Sequence, residues 1–210
     1  MRKTKIAFIR EQKLRREIKQ NLINKAVEGD AAAFSEIYFT LCDSIYGFAY
    51  RMTNKNSIAE DITQAVFMFF VEHPEKYNAE RGSLFSFLCG VARNRVLNFL
   101  KKSGTRLETN NFETKDIENF TNGNGNSPLK VLLKKEISAK IEECVAKLSP
   151  FQREVLILRE LEDLSYEEIA DITESDIGVV KSRLYRARRN LARELTPYLA
   201  DEKEKYYEVH

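Results

Sequence analysis

The stretch from Ser165 to Arg193 constrains the fold most strongly, because its pattern is typical of two helices joined by a tight turn. Ser165 can cap a helix start, and Glu168 lies three residues on, where its side chain can reach back to the cap's backbone N–H. Asp176 offers a second N-cap after the turn. Apolar residues at helical spacing supply an inner face: Tyr166, Ile169, Ala170, Val179, Val180, Leu184, Ala187 and Leu191. The stretch predicts a helix-turn-helix.

The second of these helices is strongly basic. Every charged residue from Lys181 to Arg193 is Lys or Arg. One side of the helix can pack while the other presents cations, as a helix lying in a DNA major groove requires. A basic face that is merely solvated is the common alternative. The pairing with a short capped helix and a turn favours DNA binding.

Composition sets the size and the charge pattern. The chain has 210 residues, of which 43% are hydrophobic and 31% charged, enough for one large or two small domains. The net charge is only +2, yet basic residues cluster at the N-terminus, at 93–106 and at 181–193, while acids gather at 108–118 and 160–174. Local cationic stripes in a near-neutral chain fit nucleic-acid binding at chosen surfaces.

Several functional classes are disfavoured. Cys42, Cys89 and Cys144 lack any C-x-x-C spacing, so we expect buried thiols in a reducing compartment. With only His73 and His210, neither a metal site nor a cofactor is predicted. No catalytic motif or nucleophile–histidine pair is present, so an enzyme is not expected. No apolar run approaches the ~20 residues of a membrane span, and the charged N-terminus has no signal-peptide core. We expect a cytoplasmic protein without membrane insertion.

Helical periodicity predicts an all-α protein of two small helical domains joined by a flexible linker, the second containing the helix-turn-helix. The first domain covers 21–102, with a helix capped by Asp30, a capping box at Ser57 and Glu60, and a helix from Ser83. The linker covers 103–127, which is rich in Asn, Thr and Gly and has almost no apolar periodicity.

The second domain covers 128–199. Helical pattern resumes after Pro128, and Ser149 with Pro150 and Gln152 predicts a further capped helix start. A basic N-terminal extension, 1–20, and a C-terminal tail, 200–210, flank the two domains.

Four segments in this order resemble the bacterial RNA polymerase sigma factors of the extracytoplasmic-function (ECF) class. They are EDITQAVFMFF (60–70), GSLFSFLCGVARNRVLNFLKK (82–102), LSPFQREVLILRELEDLSYEEIA (148–170) and VKSRLYRARRNL (180–191). The resemblance covers nearly all of 21–199. It implies that 21–102 is sigma region 2, which binds core polymerase and recognises and melts the −10 element. It implies that 128–199 is sigma region 4, which recognises the −35 element.

The resemblance also implies site residues. The core-polymerase-binding residues would be Asp61, Gln64 and Phe67, although Phe67 can alternatively be a core residue. The −10 DNA-binding residues would be Tyr77, Asn78, Arg81, Arg93, Asn94, Arg95, Asn98 and Lys101, with the loop at 77–81 capturing a flipped base. The −35 DNA-binding residues would be Lys181, Ser182, Arg183, Tyr185, Arg186 and Arg189.

Three positions depart from the family pattern. Phe85 and Gly90 stand where polar or basic residues are usual, and Glu174 stands in the turn where Gly is usual. A left-handed turn residue other than Gly costs on the order of 1 kcal/mol. Either the turn adopts another geometry or neighbouring groups compensate.

The expected function is a sigma factor whose partners are core RNA polymerase, promoter DNA and an anti-sigma factor, the last wedged between the two domains. A stand-alone helix-turn-helix regulator is the alternative, and a purely protein-binding adaptor is a weaker one. A second DNA-facing basic helix at 82–102 argues against both, since neither class needs it.

Overall fold

The computed structural model describes residues 18–105 and 138–208, with side chains through residue 198. Every regular element in these ranges is helical, which confirms the all-α prediction. The N-terminal bundle contains α1 (Gln20–Val27), α2 (Ala31–Thr53), α3 (Asn56–Glu72) and α4 (Leu84–Lys102), with 3₁₀ turns at Pro74–Lys76 and Ala79–Arg81. The C-terminal bundle contains α5 (138–146), α6 (Pro150–Glu160), α7 (Tyr166–Thr173) and α8 (Ile177–Glu208). The predicted linker from residue 106, and the helix predicted after Pro128 as far as 137, lie outside the described residues.

Side-chain caps are present at three of the predicted helix starts, those at Asp30, Ser83 and Ser165. The Asp30 carboxylate accepts the backbone N–H groups of Ala32 at 2.9 Å and Ala33 at 3.1 Å. The Ser83 hydroxyl accepts the N–H of Ser86 at 3.1 Å. Two helix starts differ from expectation in detail. There is no capping box at Ser57, because α3 begins two residues earlier than predicted, after Lys55, and Ser149 precedes α6 without a side-chain cap bond.

The N-terminal bundle is built around α2, which packs against α1, α3 and α4. Its core is aromatic, with Phe48, Phe70 and Phe85 almost completely buried. Burial explains why Phe85 replaces a polar residue, since its side chain faces the core and not solvent. Tyr38 lies between this core and the surface, with its ring 4.8 Å from that of Phe67.

The helix-turn-helix follows its predicted outline. The Ser165 hydroxyl accepts the N–H of Glu168 at 3.1 Å, and the Glu168 carboxylate accepts the N–H of Ser165 at 2.8 Å, so the capping box is complete. Helices α6 and α7 both pack on α8. Val180, Leu184 and Ala187 of α8 are buried, as the periodicity predicts.

The turn after α7 keeps its left-handed geometry without glycine. Glu174 has φ 49° and ψ 45°, and the N–H of Ser175 donates to the Ala170 carbonyl at 3.0 Å. The Ser175 hydroxyl donates to the Thr173 carbonyl at 3.0 Å and accepts from Arg183 at 3.2 Å. Neighbouring hydrogen bonds therefore hold a conformation that Glu itself disfavours.

The two bundles pack against each other. Helix α6 contacts α2, and α7 contacts α4. Buried apolar side chains from both bundles form one contiguous cluster. The sequence predicted two domains joined by a flexible linker, and the described residues of these domains adopt one closed arrangement. No helix within the described ranges is both long and apolar enough to cross a membrane.

The strain at Glu174 gives a first prediction. Replacing Glu174 with Gly should raise the free energy of unfolding by up to about 1 kcal/mol, because Gly adopts φ > 0 without a Cβ clash. The measurement is urea denaturation followed by circular dichroism. The matched control is Glu36→Gly on the exposed face of α2, which should lower the free energy of unfolding by about 1 kcal/mol. Equal losses in the two variants would contradict the assignment of strain.

Candidate nucleic-acid interface

Helix α8 presents a row of cationic and aromatic side chains to solvent. Lys181, Tyr185, Arg186 and Arg189 are exposed, and the exposed fraction of Tyr185 is 66%. Ser182 is half-buried beside them. The buried residues of the helix face the opposite way, so packing fixes the direction in which this row points. The geometry suits insertion of α8 into a major groove.

Arg183 differs from the rest of the predicted −35 set, because its side chain turns inward. Its guanidinium lies 4.6 Å from the centroid of the Phe151 ring and donates to the Ser175 hydroxyl at 3.2 Å. It also lies 3.8 Å from the carboxylate of Glu154. Arg183 thus connects α8 with α6 and with the turn, and periodicity alone did not separate it from the exposed arginines.

A second cationic group lies at the N-terminal end of α7, where the sequence analysis named no site. The guanidinium of Arg159 is 5.0 Å from the centroid of the Tyr166 ring, and the Lys181 ammonium is 5.4 Å from it. Arg159 also donates to the Leu164 carbonyl at 2.6 Å. A single Arg at the end of α6 carries no periodic signal, so only the packing of α6 against α7 reveals this cluster.

The exposed face of α3 has a different composition from the predicted one. Asp61 and Gln64 are exposed, as expected, but Phe67 is only 2% exposed and packs on Tyr38. Met68 and Val71 are instead half-exposed, at 50% and 54%. Met68 lies four residues after Gln64, a spacing that keeps it on the same face.

The loop before α4 is held by local bonds. The Asn78 side chain accepts the N–H of Glu80 at 2.8 Å, which organises the short turn Ala79–Arg81. The Tyr77 ring lies 5.7 Å from that of Phe87, and burial raises the pKa of the Tyr77 phenol. Arg81 is exposed and shares a cleft with Asp171, Glu174 and Asp176 of the C-terminal bundle. The loop therefore faces the helix-turn-helix.

Some of the predicted −10 residues on α4 are exposed to solvent, and others are buried. Asn94, Asn98 and Lys101 are exposed, Arg95 is half-buried, and Arg93 is only 7% exposed. Arg93 donates from Nε to Glu154 Oε2 at 2.8 Å and from Nη2 to Oε1 at 3.4 Å. Glu154 is fully buried, and burial raises the pKa of its carboxyl although Arg93 and Arg183 oppose that shift. Arg93 is therefore engaged by the other bundle in this arrangement.

Two further contacts join the bundles. Arg153 is buried and donates to the Met52 carbonyl at 3.0 Å and the Arg51 carbonyl at 3.4 Å, at the C-terminal end of α2. Burial lowers the pKa of Arg153 to about 10, so it remains a cation at neutral pH. The Ser86 hydroxyl of α4 donates to Glu168 at 3.2 Å, the carboxylate that also completes the α7 capping box. Direct contacts between the bundles therefore occupy the place where the sequence analysis expected an inhibitory partner to insert.

A metal centre does not emerge from the part of the chain that the structure describes. Within 18–105 and 138–198, no group of three or more His, Cys, Asp and Glu side chains could hold a metal ion. Cys89 and Cys144 are buried free thiols and Cys42 is half-buried.

Comparison with known proteins assigns both bundles. Residues 41–106 match the family model for Sigma-70 region 2, and residues 138–191 match that for Sigma-70, region 4. The RNA polymerase sigma-H factor of Pseudomonas aeruginosa is 28% identical over 90% of this chain and 99% of its own length. The ECF RNA polymerase sigma factor BldN of Streptomyces coelicolor is 31% identical over 82% of this chain and 64% of its own.

A solved structure shares the fold. The sigma factor RpoE from Bartonella quintana, determined in complex with the anti-sigma factor NepR, matches with a TM-score of 0.62 at 24% identity, over 78% of this chain and 96% of that one. Two sigma-70 regions in the expected order, and relatives that span most of the chain, agree with the geometry of the helix-turn-helix. The chain belongs to the sigma-70 family of transcription initiation factors, in its extracytoplasmic-function class.

Proposed function

We propose that this sigma factor binds core RNA polymerase through α3 and reads promoter DNA through α8 and α4. The observation that carries the proposal is the exposed row of Lys181, Tyr185, Arg186 and Arg189 on a capped helix-turn-helix. The test is transcription by the reconstituted holoenzyme with start-site mapping. Core enzyme alone should fail to start at the mapped promoters. A stand-alone regulator is not favoured, because both sigma-70 regions are present in order.

In the −35 element, Arg186 is the proposed base reader. An exposed guanidinium can chelate the O6 and N7 atoms of guanine, and the neighbouring Tyr185 can contact an apolar base edge. Lys181, Ser182 and Arg189 are proposed as phosphate contacts, which set register and add salt-dependent affinity. Arg183 is proposed as a brace for α8, given its contacts with Phe151 and Ser175.

In the −10 element, the exposed amides Asn94 and Asn98 are proposed to contact bases, with Lys101 on the backbone. The loop at 77–81 is proposed to hold a flipped base between Tyr77 and the side chain of Arg81. Arg93 can join this surface only when its contact with Glu154 is open, and the half-buried Arg95 is proposed to lie beside it. The −10 surface therefore needs an arrangement in which the two bundles have separated.

The polymerase-binding surface is proposed to be the exposed face of α3. Asp61 and Gln64 supply polar groups, and Met68 and Val71 supply half-exposed apolar area. A mixed patch of this kind suits a protein interface. Phe67 is proposed to support that face from beneath, since it packs on Tyr38.

An anti-sigma factor is a proposed partner, since RpoE from Bartonella quintana was solved with one. An inhibitor inserted between the bundles would have to displace the contacts of Arg93, Arg153 and Ser86. The proposed location is the cytoplasm, where core polymerase works. The chain is proposed to be non-enzymatic, with the polymerase carrying out the chemistry.

The α3 surface gives the second prediction. Asp61→Lys combined with Gln64→Ala should weaken binding to core polymerase by at least about tenfold, because it reverses a charge in the proposed interface. Binding is measured by titration of labelled protein with core enzyme. Glu28→Lys, a charge reversal at the exposed end of α1, is the control and should bind normally. Unchanged binding of a double variant with normal helicity would refute the assignment.

The third prediction separates base reading from phosphate contact. Arg186→Ala should cost about 1–3 kcal/mol at the cognate −35 element and relax preference at one or two base positions. Arg193→Ala, at an exposed position further along α8, should weaken all promoters alike and flatten the salt dependence. Holoenzyme is assayed on a library of −35 variants at fixed salt. An equal loss of activity at all −35 variants for Arg186→Ala would show that Arg186 contacts DNA phosphates. Base specificity would then depend on Lys181, Ser182 or Tyr185.

A further inference from the structure

The outer face of α2 carries a phenylalanine that is largely exposed to solvent. Phe39 is 75% exposed, the largest value for a bulky apolar side chain in the part of the chain that the structure describes. Its ring lies 5.6 Å from that of Tyr38, which packs in turn on Phe67 of α3. A single exposed ring is common on protein surfaces, so its surroundings decide whether it is a docking point.

The surroundings of Phe39 are acidic. Glu36 and Asp43 lie three residues before it and four residues after it, on the same exposed face of α2. No Lys, Arg or His occurs between residues 26 and 50. In the described part of the chain, neither carboxylate has an ion-pair partner. These three side chains form the acidic face of α2, which fits a ligand that is both basic and apolar.

The segment that precedes the described residues has the complementary composition. Residues 1–17 contain seven Lys or Arg and two Glu, a formal net charge of +5, and they include the apolar run Ile6–Ile9. The stretch 108–118 is acidic, so its charge is of the wrong sign for this face. A second copy of the chain would present the same acidic face, which repels itself in a symmetric contact.

The start of α1 lies near the level of Phe39 along α2. Helix α1 has eight residues, about 12 Å at 1.5 Å per residue, and a three-residue connection turns the chain back onto α2. About 12 Å along α2 from its start lies residue 39.

The apolar run can reach the acidic face of α2 from this point. Ile18, the first described residue, packs against the core beside α1. The nine residues that separate Ile9 from Ile18 can span about 30 Å, whereas a helix with its side chains is about 10–12 Å wide. Chain length therefore permits the contact.

We propose that the basic N-terminal segment, residues 1–17, docks on the acidic face of α2, with the apolar run Ile6–Ile9 covering Phe39. Lys5 and Arg10 flank that run and lie beside Glu36 and Asp43 in the docked form. The contact is made within one chain, so it does not depend on protein concentration. Because exposed charges contribute to it, salt weakens it. Neither polymerase nor DNA takes part, so the docking goes beyond the proposed function and stands independently of it.

The test uses fluorescence of the full chain. The chain contains no Trp, so Phe39→Trp introduces a single reporter at the docking point. At low salt its emission should lie at a shorter wavelength than that of an exposed indole. Acrylamide should quench it at least about twofold less, as expected when at least half of the population is docked. Salt at about 1 M should remove this protection, since the Debye length falls to about 3 Å.

Tyr185→Trp is the matched control, because Tyr185 is 66% exposed and lies on α8 of the other bundle. Its indole should be quenched freely at low and at high salt. In the Phe39→Trp chain, Lys5→Glu combined with Arg10→Glu should raise quenching to the level of this control, since the reversed charges are repelled by the acidic face. Acrylamide is neutral, so the charge reversal does not itself change access of the quencher.

Two fluorescence results would overturn the proposal. One is a Phe39→Trp indole that is quenched as freely as the Tyr185→Trp control at low salt. The other is protection that persists after the charge reversal, which would assign the cover to another occupant; an increase of that protection with protein concentration would identify a second copy.

Trypsin provides a measurement on the unaltered ring. Cleavage after Lys5 and Arg10 should be at least about twofold slower in the wild-type chain than in Phe39→Ser, because a docked segment is cleaved only from its undocked fraction. Phe39 is exposed, so this substitution leaves the core intact. Equal cleavage rates in two chains of equal helicity would also overturn the docking.

Discussion

A carboxylate without access to water is the constraint on which this arrangement depends. Glu154 lies within α6, between the two bundles, and its side chain has no exposed surface. A charge in that position is costly unless cations and hydrogen bonds surround it. Arg183 comes from the same bundle but stands 3.8 Å away, and only Arg93 completes a bidentate pair. The relative position of the bundles follows from that requirement.

Local chemistry was readable from the sequence because its partners are near in the chain. Asp30, Ser83 and the Ser165–Glu168 box bond backbone groups within three residues, so composition at a helix start predicts them. The buried stripe of α8 likewise follows from periodicity. The capping box predicted at Ser57 was wrong because a two-residue shift of the helix start moves the side chain from the cap into the first turn.

Side-chain direction was less predictable. Phe67 has the spacing of a surface residue on α3, yet the rings of Phe34 and Tyr38 draw it into the core, and Met68 takes its place on the exposed face. Arg183 and Arg186 are equally basic and nearly adjacent, but only Arg183 has Phe151 and Ser175 within reach. The pairing of Arg93 with Glu154 spans 61 residues, and nothing in either local segment encodes it.

The junction between the bundles divides its residues into two classes that respond differently to substitution. Arg93 contacts Glu154 in the closed form and belongs to the proposed −10 surface in the open form. A substitution of Arg93 therefore alters both the packing of the bundles and promoter binding. Arg153 donates to main-chain carbonyls, including those of Arg51 and Met52, and lies outside both proposed DNA surfaces. Changing Arg153 alters the closed state while leaving the DNA-facing groups untouched. The strength of closure can therefore vary between related chains at positions such as Arg153, without a change in the bases that α8 reads.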